Sequence, residues 1–475
     1  MSEILSMDML ESYPPVRAEE LDRLWKQELE ASDYKIIALD DDPTGVQTVH
    51  DVSVYTGWDV ESIRQGFHEE NRLFYILTNS RGFTEKRTIE IHKEIVKNIC
   101  AVAKEEKQKF MIISRSDSTL RGHYPAETNV IREALKEEAA IQVDGEILCP
   151  FFREGGRFTI NDVHYVKYGD ELVPSGETEF ARDKTFGYRA SDLKEYIEEK
   201  TKGQYQAKDV ISVSIEDLRK LNIDGIKAQL MAVSDFQKII VNAAGDGDVR
   251  AFSIALYRAV KNGKQFLFRT AAAFVREAGG IESRELLTKR EVVPVQRENG
   301  GMVIVGSHTA KTTEQLEELL SLEDTVGIHF HSALVLNREA FEEEIMRIHQ
   351  EIRRVLPEGK CAVVYTDRNV LSLENDTEEE ALLRSVRISD AVQSFVRDLD
   401  VRPGFLLAKG GITSSDIGTK GLGVKRATVM GQIYPGVPVW KTGSESKFPD
   451  MAYVIFPGNV GGKLALKQVV AILNG

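Results

Sequence analysis

Apolar runs of four or five residues recur in the first half of the chain, and each ends in a polar cluster. Lys35 to Leu39 runs into Asp40-Asp41-Asp42-Pro43-Thr44-Gly45. Leu73 to Leu77 runs into Thr78-Asn79-Ser80-Arg81-Gly82, and Phe110 to Ile113 into Ser114-Arg115-Ser116-Asp117-Ser118-Thr119-Leu120-Arg121-Gly122. Short apolar runs bounded by turn residues predict buried strands. Between them the spacing changes to three and four. Leu21, Leu24, Trp25 and Leu29 predict an amphipathic helix over 17–31 that packs ahead of the first strand, and Ile95, Ile99 and Val102 share one face of another. Lys238 to Ala244 reads as a strand, Gly245 to Asp248 as a turn, the residues through Val260 as a helix and Gln265 to Thr270 as a further strand. Residues 145 to 190 show little period and read as irregular lid or substrate loops. His164 within them reads as a structural hydrogen-bonding residue.

The second half repeats the alternation after a polar boundary at 285–300 that contains Pro294, Gly300 and Gly301. Met302 to Val305 is a strand that enters Gly306-Ser307-His308-Thr309, followed by a helix with Leu316, Leu319 and Leu320 on one face. Thr312 and Gln315 have capping-box spacing. Cys361 to Thr366 predicts a strand and Glu378 to Leu399 a long helix. An apolar strand ends at Ala408, then Gly410 and Gly411 allow close backbone approach, and Thr413 to Asp416 offer N-cap residues. Tyr453 to Phe456 leads into Pro457-Gly458-Asn459-Val460-Gly461-Gly462 and a closing helix. The pattern predicts an α/β protein of two domains, each a largely parallel sheet flanked by helices, with a ligand cleft between them. The expected divisions are a helical extension over 1–32, a first domain over 33–290 and a second over 300–475.

Length agrees with that division, since 475 residues exceed what one core supports. Lys and Arg total 61 against 75 acids, a net charge of −14, and no basic block stands out, so nucleic acid is not an expected partner. Cys100, Cys149 and Cys361 lie far apart, which suits reduced core thiols better than a disulfide framework or a zinc site. No apolar run approaches the ~18 residues of a membrane helix, and the first residues lack a basic region followed by an apolar core. The expectation is a cytoplasmic protein that acts on a small molecule, with a homo-oligomer possible.

The polar clusters carry the candidate chemistry. In open α/β sheets ligands bind beyond the carboxyl ends of the strands, so three acids released there are available to hydroxyl groups, a proton or Mg²⁺. An Asp-rich turn that caps the next segment is the plainer alternative. The third cluster joins two arginines, Asp117 and small hydroxyls, which suits an anionic, polyhydroxylated ligand; a loop tied by its own ion pairs fits as well. Strand, glycines and helix start at Gly410 make a phosphate cradle or a simple Gly-rich connection.

Asp41-Asp42-Pro43-Thr44-Gly45, Asp117-Ser118-Thr119-Leu120-Arg121-Gly122, Gly306-Ser307, Gly410-Gly411-Ile412-Thr413 and Pro457-Gly458-Asn459-Val460-Gly461 stand in an order and spacing that resemble the four-carbon acid sugar kinase family. The resemblance covers nearly the whole chain. It implies an N-terminal acid-sugar-binding domain, a C-terminal nucleotide-binding domain and ATP- and Mg²⁺-dependent phosphorylation of tetronate-type acids on the terminal hydroxyl. Carried over by position, Asp41, Asp42 and Thr44, with Ser80, Arg81, Asp117, Ser118 and Arg121, would line the sugar-acid pocket. Arginines would hold the carboxylate, and Asp41 or Asp42 first, then Asp117, would orient or deprotonate the attacking hydroxyl. Ser307, Gly410, Gly411, Ile412, Thr413 and Gly458 would hold ATP; no residue is assigned as a metal ligand. Pro43, Ser114, Ser116, His123 and Ile412 depart from the usual family residues beside the ligands, which bears on substrate identity before reaction type. The alternatives are a non-catalytic sensor of a sugar acid and a nucleotide, and a sugar-acid dehydrogenase or aldolase, for which no GxGxxG follows a strand.

Overall fold

The computed structural model describes residues 3–293, 298–369, 371, 373 and 376–475; Pro294 of the predicted boundary lies outside them. The chain forms two compact units, Met1–Gly45 with Gly57–Ser283, and Val46–Thr56 with Arg284–Gly475. Among the described residues no helix is long and apolar enough to cross a membrane.

In the first unit the strands lie in the order Ile211–Val213, Gln237–Val241, Gly145–Cys149, Phe266–Thr270, Lys109–Arg115, Tyr34–Asp40 and Leu73–Leu77, all paired parallel. Helices cover both faces of such a sheet, so its strands are buried throughout and read as continuous apolar runs; every residue of Leu73–Leu77 is buried. The register levels the carboxyl ends: Asp40 stands opposite Leu77 and Arg115, and Thr270 opposite Arg115 and Cys149. The three polar clusters therefore enter one edge. The helix Ala18–Glu30 packs on Asp246–Lys261, with the Trp25 ring edge-on to Tyr257 at 5.1 Å and Glu28 paired with Arg258 at 2.7 Å.

Two expectations for this unit change. Residues 145 to 190 are not irregular: Arg157–Ile160, Val163–Tyr168 and Glu171–Pro174, with Leu5–Ser6 at the edge, form a separate antiparallel sheet. Strands this short, joined by turns at Asn161-Asp162 and Gly169, hold too few apolar positions for a period to show. Asp246 and Asp248 do not form a free turn but open a helix. Asp248 accepts from the N–H groups of Ala244 and Gly245 at 2.9 Å each and pairs with Arg219, so it caps the N-terminus.

In the second unit Thr325–Phe330, Cys361–Thr366, Met302–Val305, Leu406–Lys409 and Ala452–Phe456 are parallel neighbours in that order. Val437–Thr442, Arg426–Tyr434 and Val52–Tyr55 extend this sheet by antiparallel pairing. Val52–Tyr55 thus joins a sheet built from the far end of the sequence, where a single cut near 290 leaves it in the first domain. Four residues reading VSVY fit either sheet, and only the ladder to Arg426–Val429 decides. The helix after Met302–Val305 starts earlier than its capping-box spacing suggests. Thr309 is the N-cap, accepting from Thr312 N–H at 3.2 Å, and Gln315 instead donates to the carbonyls of Val460 and Gly462 at 3.0 and 2.9 Å. Gly410, not Thr413 to Asp416, is the N-cap of Gly411–Asp416.

Candidate functional site

In the first unit, Asp40, Asp41 and Asp42 leave the sheet beside two arginines. Arg115, level with Asp40 in the parallel pairing, donates from Nη1 to Asp40 Oδ1 at 2.8 Å and to Asp41 Oδ1 at 3.2 Å. Arg81, from the turn after Leu73–Leu77, grips Asp41 with Nε at 3.1 Å and Nη2 at 2.6 Å and meets Asp42 Oδ2 with Nη1 at 2.5 Å. Three carboxylates face two guanidiniums, and one proton settles the surplus. Burial, outweighing the pull of Arg115, pushes Asp40 up to about 8. Burial raises Asp41 too, against Arg81 and Arg115. At Asp42 the same burial is overcome by Arg81 and Arg115 and by hydrogen bonds from Thr44, which hold its carboxyl below the usual range. Asp42 is also the most open of the three, its side chain 16% exposed.

The turn that follows serves these acids. Thr44 donates to Asp42 Oδ1 from its N–H at 2.7 Å and from its hydroxyl, which is the capping role of an Asp-rich turn. Gly45 lies so close to the Asp40 carboxylate that any side chain there would collide with it. Ser80 is fully buried and donates to Glu127 Oε1 at 2.6 Å, while Glu127 Oε2 accepts from Arg269 at 3.0 Å. Ser80 therefore supports the arginine layer beneath the site and does not line its surface.

The Asp117–Gly122 loop is held from below by its carbonyls. His164 Nε2 donates to Ser118 O at 2.8 Å, Tyr188 hydroxyl to Thr119 O at 2.9 Å, Tyr196 hydroxyl to Leu120 O at 2.8 Å and Arg269 Nη2 to Arg121 O at 2.9 Å. A carbonyl only accepts, so His164 carries its proton on Nε2, and Nδ1 accepts from the Thr159 hydroxyl at 3.0 Å. Burial pushes the ring down to about 4, which keeps it neutral. A trans peptide points N–H opposite C=O, so the N–H groups of Thr119, Arg121 and Gly122 face away from these tethers. Leu120 and Gly122 take positive φ of 68° and 118°, and a Cβ on Gly122 would meet Arg269 Nη2 at 2.9 Å. Asp117 accepts from Arg121 Nε at 2.7 Å. Burial would raise its pKa, but Arg121 and Arg81 outweigh it and hold the carboxyl well below the usual range. The Ser118 side chain is half-buried.

In the second unit three neighbouring strands end together, Met302–Val305 at Gly306-Ser307, Leu406–Lys409 at Gly410-Gly411 and Ala452–Phe456 at Pro457-Gly458. A side chain on Gly306 would run into Thr413 Oγ1; a Cβ on Gly410, whose φ is 117°, would meet Ser307 Cβ at 3.1 Å; one on Gly458 would meet Ser307 Oγ at 3.1 Å. Ser307, Gly410, Thr413 and Gly458 are thus brought together. Gly411 has open space around it, and Ile412 points outward, 75% exposed.

Basic side chains gather on this cradle. Lys409 is fully buried, donates to Pro457 O at 2.6 Å, and is pushed by burial down to about 6. Arg368 donates to Ser307 O and to Thr313 Oγ1, with Nη1 left without a partner, and Lys311 donates to Asn459 O at 3.3 Å. None of the three forms an ion pair among the described residues, nor is any group of three His, Cys, Asp or Glu placed there to hold a metal ion.

Sequence reading passed over Glu127, Arg269, Tyr188, Tyr196, Arg368 and Lys409 as site residues, and named Arg115 only as one of the two arginines of the third cluster. A signal existed for some of them: Arg269 sits inside the apolar run Phe266–Thr270, and Lys409 ends the run at Ala408. Charge in a fully buried strand asks for a partner.

Comparison with known proteins places these two units. Residues 36–278 match the sugar-binding N-terminal domain family and residues 302–466 the nucleotide-binding C-terminal domain family. A Haemophilus influenzae protein of the DUF1537 family superposes with a TM-score of 0.59 at 18% identity, covering 92% of this chain and 100% of its own. A Salmonella typhimurium LT2 protein, provisionally named a tRNA synthase, superposes with a TM-score of 0.64 at 15% identity over 92% of this chain and 98% of its own. At these identities the likeness is one of fold. No curated protein matches the sequence. With a sugar-binding domain followed by a nucleotide-binding domain over most of its length, the chain belongs to the four-carbon acid sugar kinase family.

Proposed function

We propose that the protein is an ATP-dependent kinase that phosphorylates the terminal hydroxyl of a four-carbon sugar acid of the threonate, erythronate or oxo-tetronate type. The observation that carries this reading is the cradle of the second unit, where Lys409, Arg368 and Lys311 stand by Ser307, Pro457 to Asn459 and Thr313 and, among the described residues, form no ion pair. Basic side chains beside close-packed glycines, Lys409 buried and Lys311 exposed, suit a polyphosphate. In the first unit, ionised Asp42 and Asp117 can accept hydrogen bonds from sugar hydroxyls, and Ser118 can add one of its own.

Phosphoryl transfer asks a protein chiefly for positioning and charge neutralisation. Asp42 is the residue that orients or deprotonates the attacking hydroxyl: Asp41 is clamped by Arg81 and Arg115, and Asp40 retains its proton. Thr44 aims Asp42, and Asp117 holds a second hydroxyl. Ser307, Gly411 to Thr413 and Gly458 hold the nucleotide. Mg²⁺, small and reluctant to lose water, would be held mainly by the phosphates. We place the enzyme in the cytoplasm, where its buried cysteines Cys100, Cys149 and Cys361 stay reduced.

The test is ADP release by the purified protein with Mg-ATP against D- and L-threonate, D- and L-erythronate and the 2-oxo and 3-oxo tetronates. Turnover on one member establishes the kinase and names its substrate. Binding of acid and nucleotide without ADP release from any member overturns transfer and leaves a sensor.

A further inference from the structure

The arginines of the first unit differ in what they already hold. Arg81 is occupied by Asp41 and Asp42, Arg115 by Asp40 and Asp41, Arg121 by Asp117 and Arg269 by Glu127. None of these four has charge to spare for a substrate carboxylate unless it gives up a partner. Arg157, the first residue of the strand Arg157–Ile160, is different. Its Nη1 donates to the carbonyl of Gly155, its Nε is buried without a partner, and among the described residues no acid pairs with it. Its guanidinium carbon lies 5.2 Å from the centre of the Phe180 ring, and the guanidinium carbon of Arg121 lies 5.2 Å from the same ring. Two arginines are gathered on one aromatic, and one of them lacks a counter-ion. Burial opposes the Arg157 charge and Arg121 adds to that, with Asp117 the chief group in its favour. A desolvated guanidinium in this condition is unfavourable until an anion joins it.

We propose that Arg157 anchors the carboxylate of the sugar acid. The anchor rests on the sugar-acid reading above and gives it a direction. Asp117 is the acid neighbour of Arg157, Arg81 acts on Asp117, and Arg81 also pairs with Asp42. The carboxylate lies at Arg157, the middle hydroxyls at Asp117 and Ser118, and the terminal hydroxyl at Asp42. The planar fork of Arg157 can take both carboxylate oxygens, while Phe180 holds its face. A neutral polyol of the same length lacks the group this anchor reads.

The experiment is calorimetric binding of the tightest C4 acid of the panel, its carboxamide, and threitol or erythritol to wild type, Arg157→Gln and Arg157→Lys, with a non-hydrolysable ATP analogue as control. In wild type the carboxamide should bind at least about tenfold more weakly than the acid. Arg157→Gln should weaken the acid at least about tenfold, leave carboxamide, polyol and nucleotide unchanged, and Arg157→Lys should recover part of the loss. Equal binding of acid and carboxamide by wild type overturns the anchor without need of a variant. Unchanged acid binding in Arg157→Gln, or an equal loss for acid and polyol, overturns it while the kinase reading stands if ADP is still formed. Wild type that neither binds nor turns over any acid overturns both.

Discussion

Asp40 and Asp42 are two positions apart and have opposite tasks. Asp40 is 1% exposed and pushed up to about 8, so near neutrality it is a buried neutral acid that keeps three carboxylates compatible with two guanidiniums. Its folded pKa lies above its unfolded one, so its contribution to stability is complete below about pH 4 and is lost as pH rises through about 8. Asp40→Asn mimics the protonated form. Melting temperatures of variant and wild type should be nearly equal at pH 4 and diverge in favour of the variant toward pH 8; a constant difference would show that Asp40 does not hold the proton. Asp42 is ionised and open. Asp42→Asn should lower kcat by roughly 10²- to 10⁴-fold while nucleotide affinity stays within about twofold. A large loss of ATP affinity would refute the division of labour between the units. That acids lie at this strand end is plain from the sequence. Which acid keeps the proton is not, because Arg115, the arginine nearest Asp40, stands 75 residues further along.

At the scale of elements, the Asp117–Gly122 loop shows how a segment is held in place without secondary structure. Its carbonyls are held by His164, Tyr188, Tyr196 and Arg269, all four of them from beyond residue 180 or from within the 145–190 stretch. Tyr196→Phe leaves Leu120 O buried and unpaired, which costs about 1–3 kcal/mol. The expected result is a lower melting temperature with a raised KM for the acid and an unchanged KM for ATP; equal changes in both would mean that the loop does not serve the acid alone. In the second unit, Gly306→Ala would drive a methyl into Thr413 Oγ1. Nucleotide affinity should fall at least about tenfold with sugar-acid binding retained, as calorimetry can read. The parallel strands were legible because strands buried on both faces are unbroken apolar runs. The antiparallel sheet at 157–174 was not, since it is short and its strands hide their alternation in partial burial.

For the whole molecule, chain order and structural membership part at Val46–Thr56, which belongs to the second unit although the first resumes at Gly57. Val54 is fully buried and pairs with Ala427. Val54→Asp places an unpaired charge there, which costs on the order of 3 kcal/mol or more. It should lower the melting temperature of the unit that binds nucleotide and abolish most of its stabilisation by ATP analogue, as differential scanning calorimetry would show; retained nucleotide stabilisation would mean the strand is dispensable. The sequence by itself determined the α/β class, the strands, and the acids, arginines and glycines at their ends, because hydrophobic runs, helical spacing and turn residues act within a few positions. Tertiary structure decided which charges are compensated. Arg81 and Arg121 form ion pairs, whereas among the described residues Arg157 forms none and its buried Nε has no partner. Charge compensation depends on neighbours in space, and a charge in a buried site is free or occupied only once every group around it is in place.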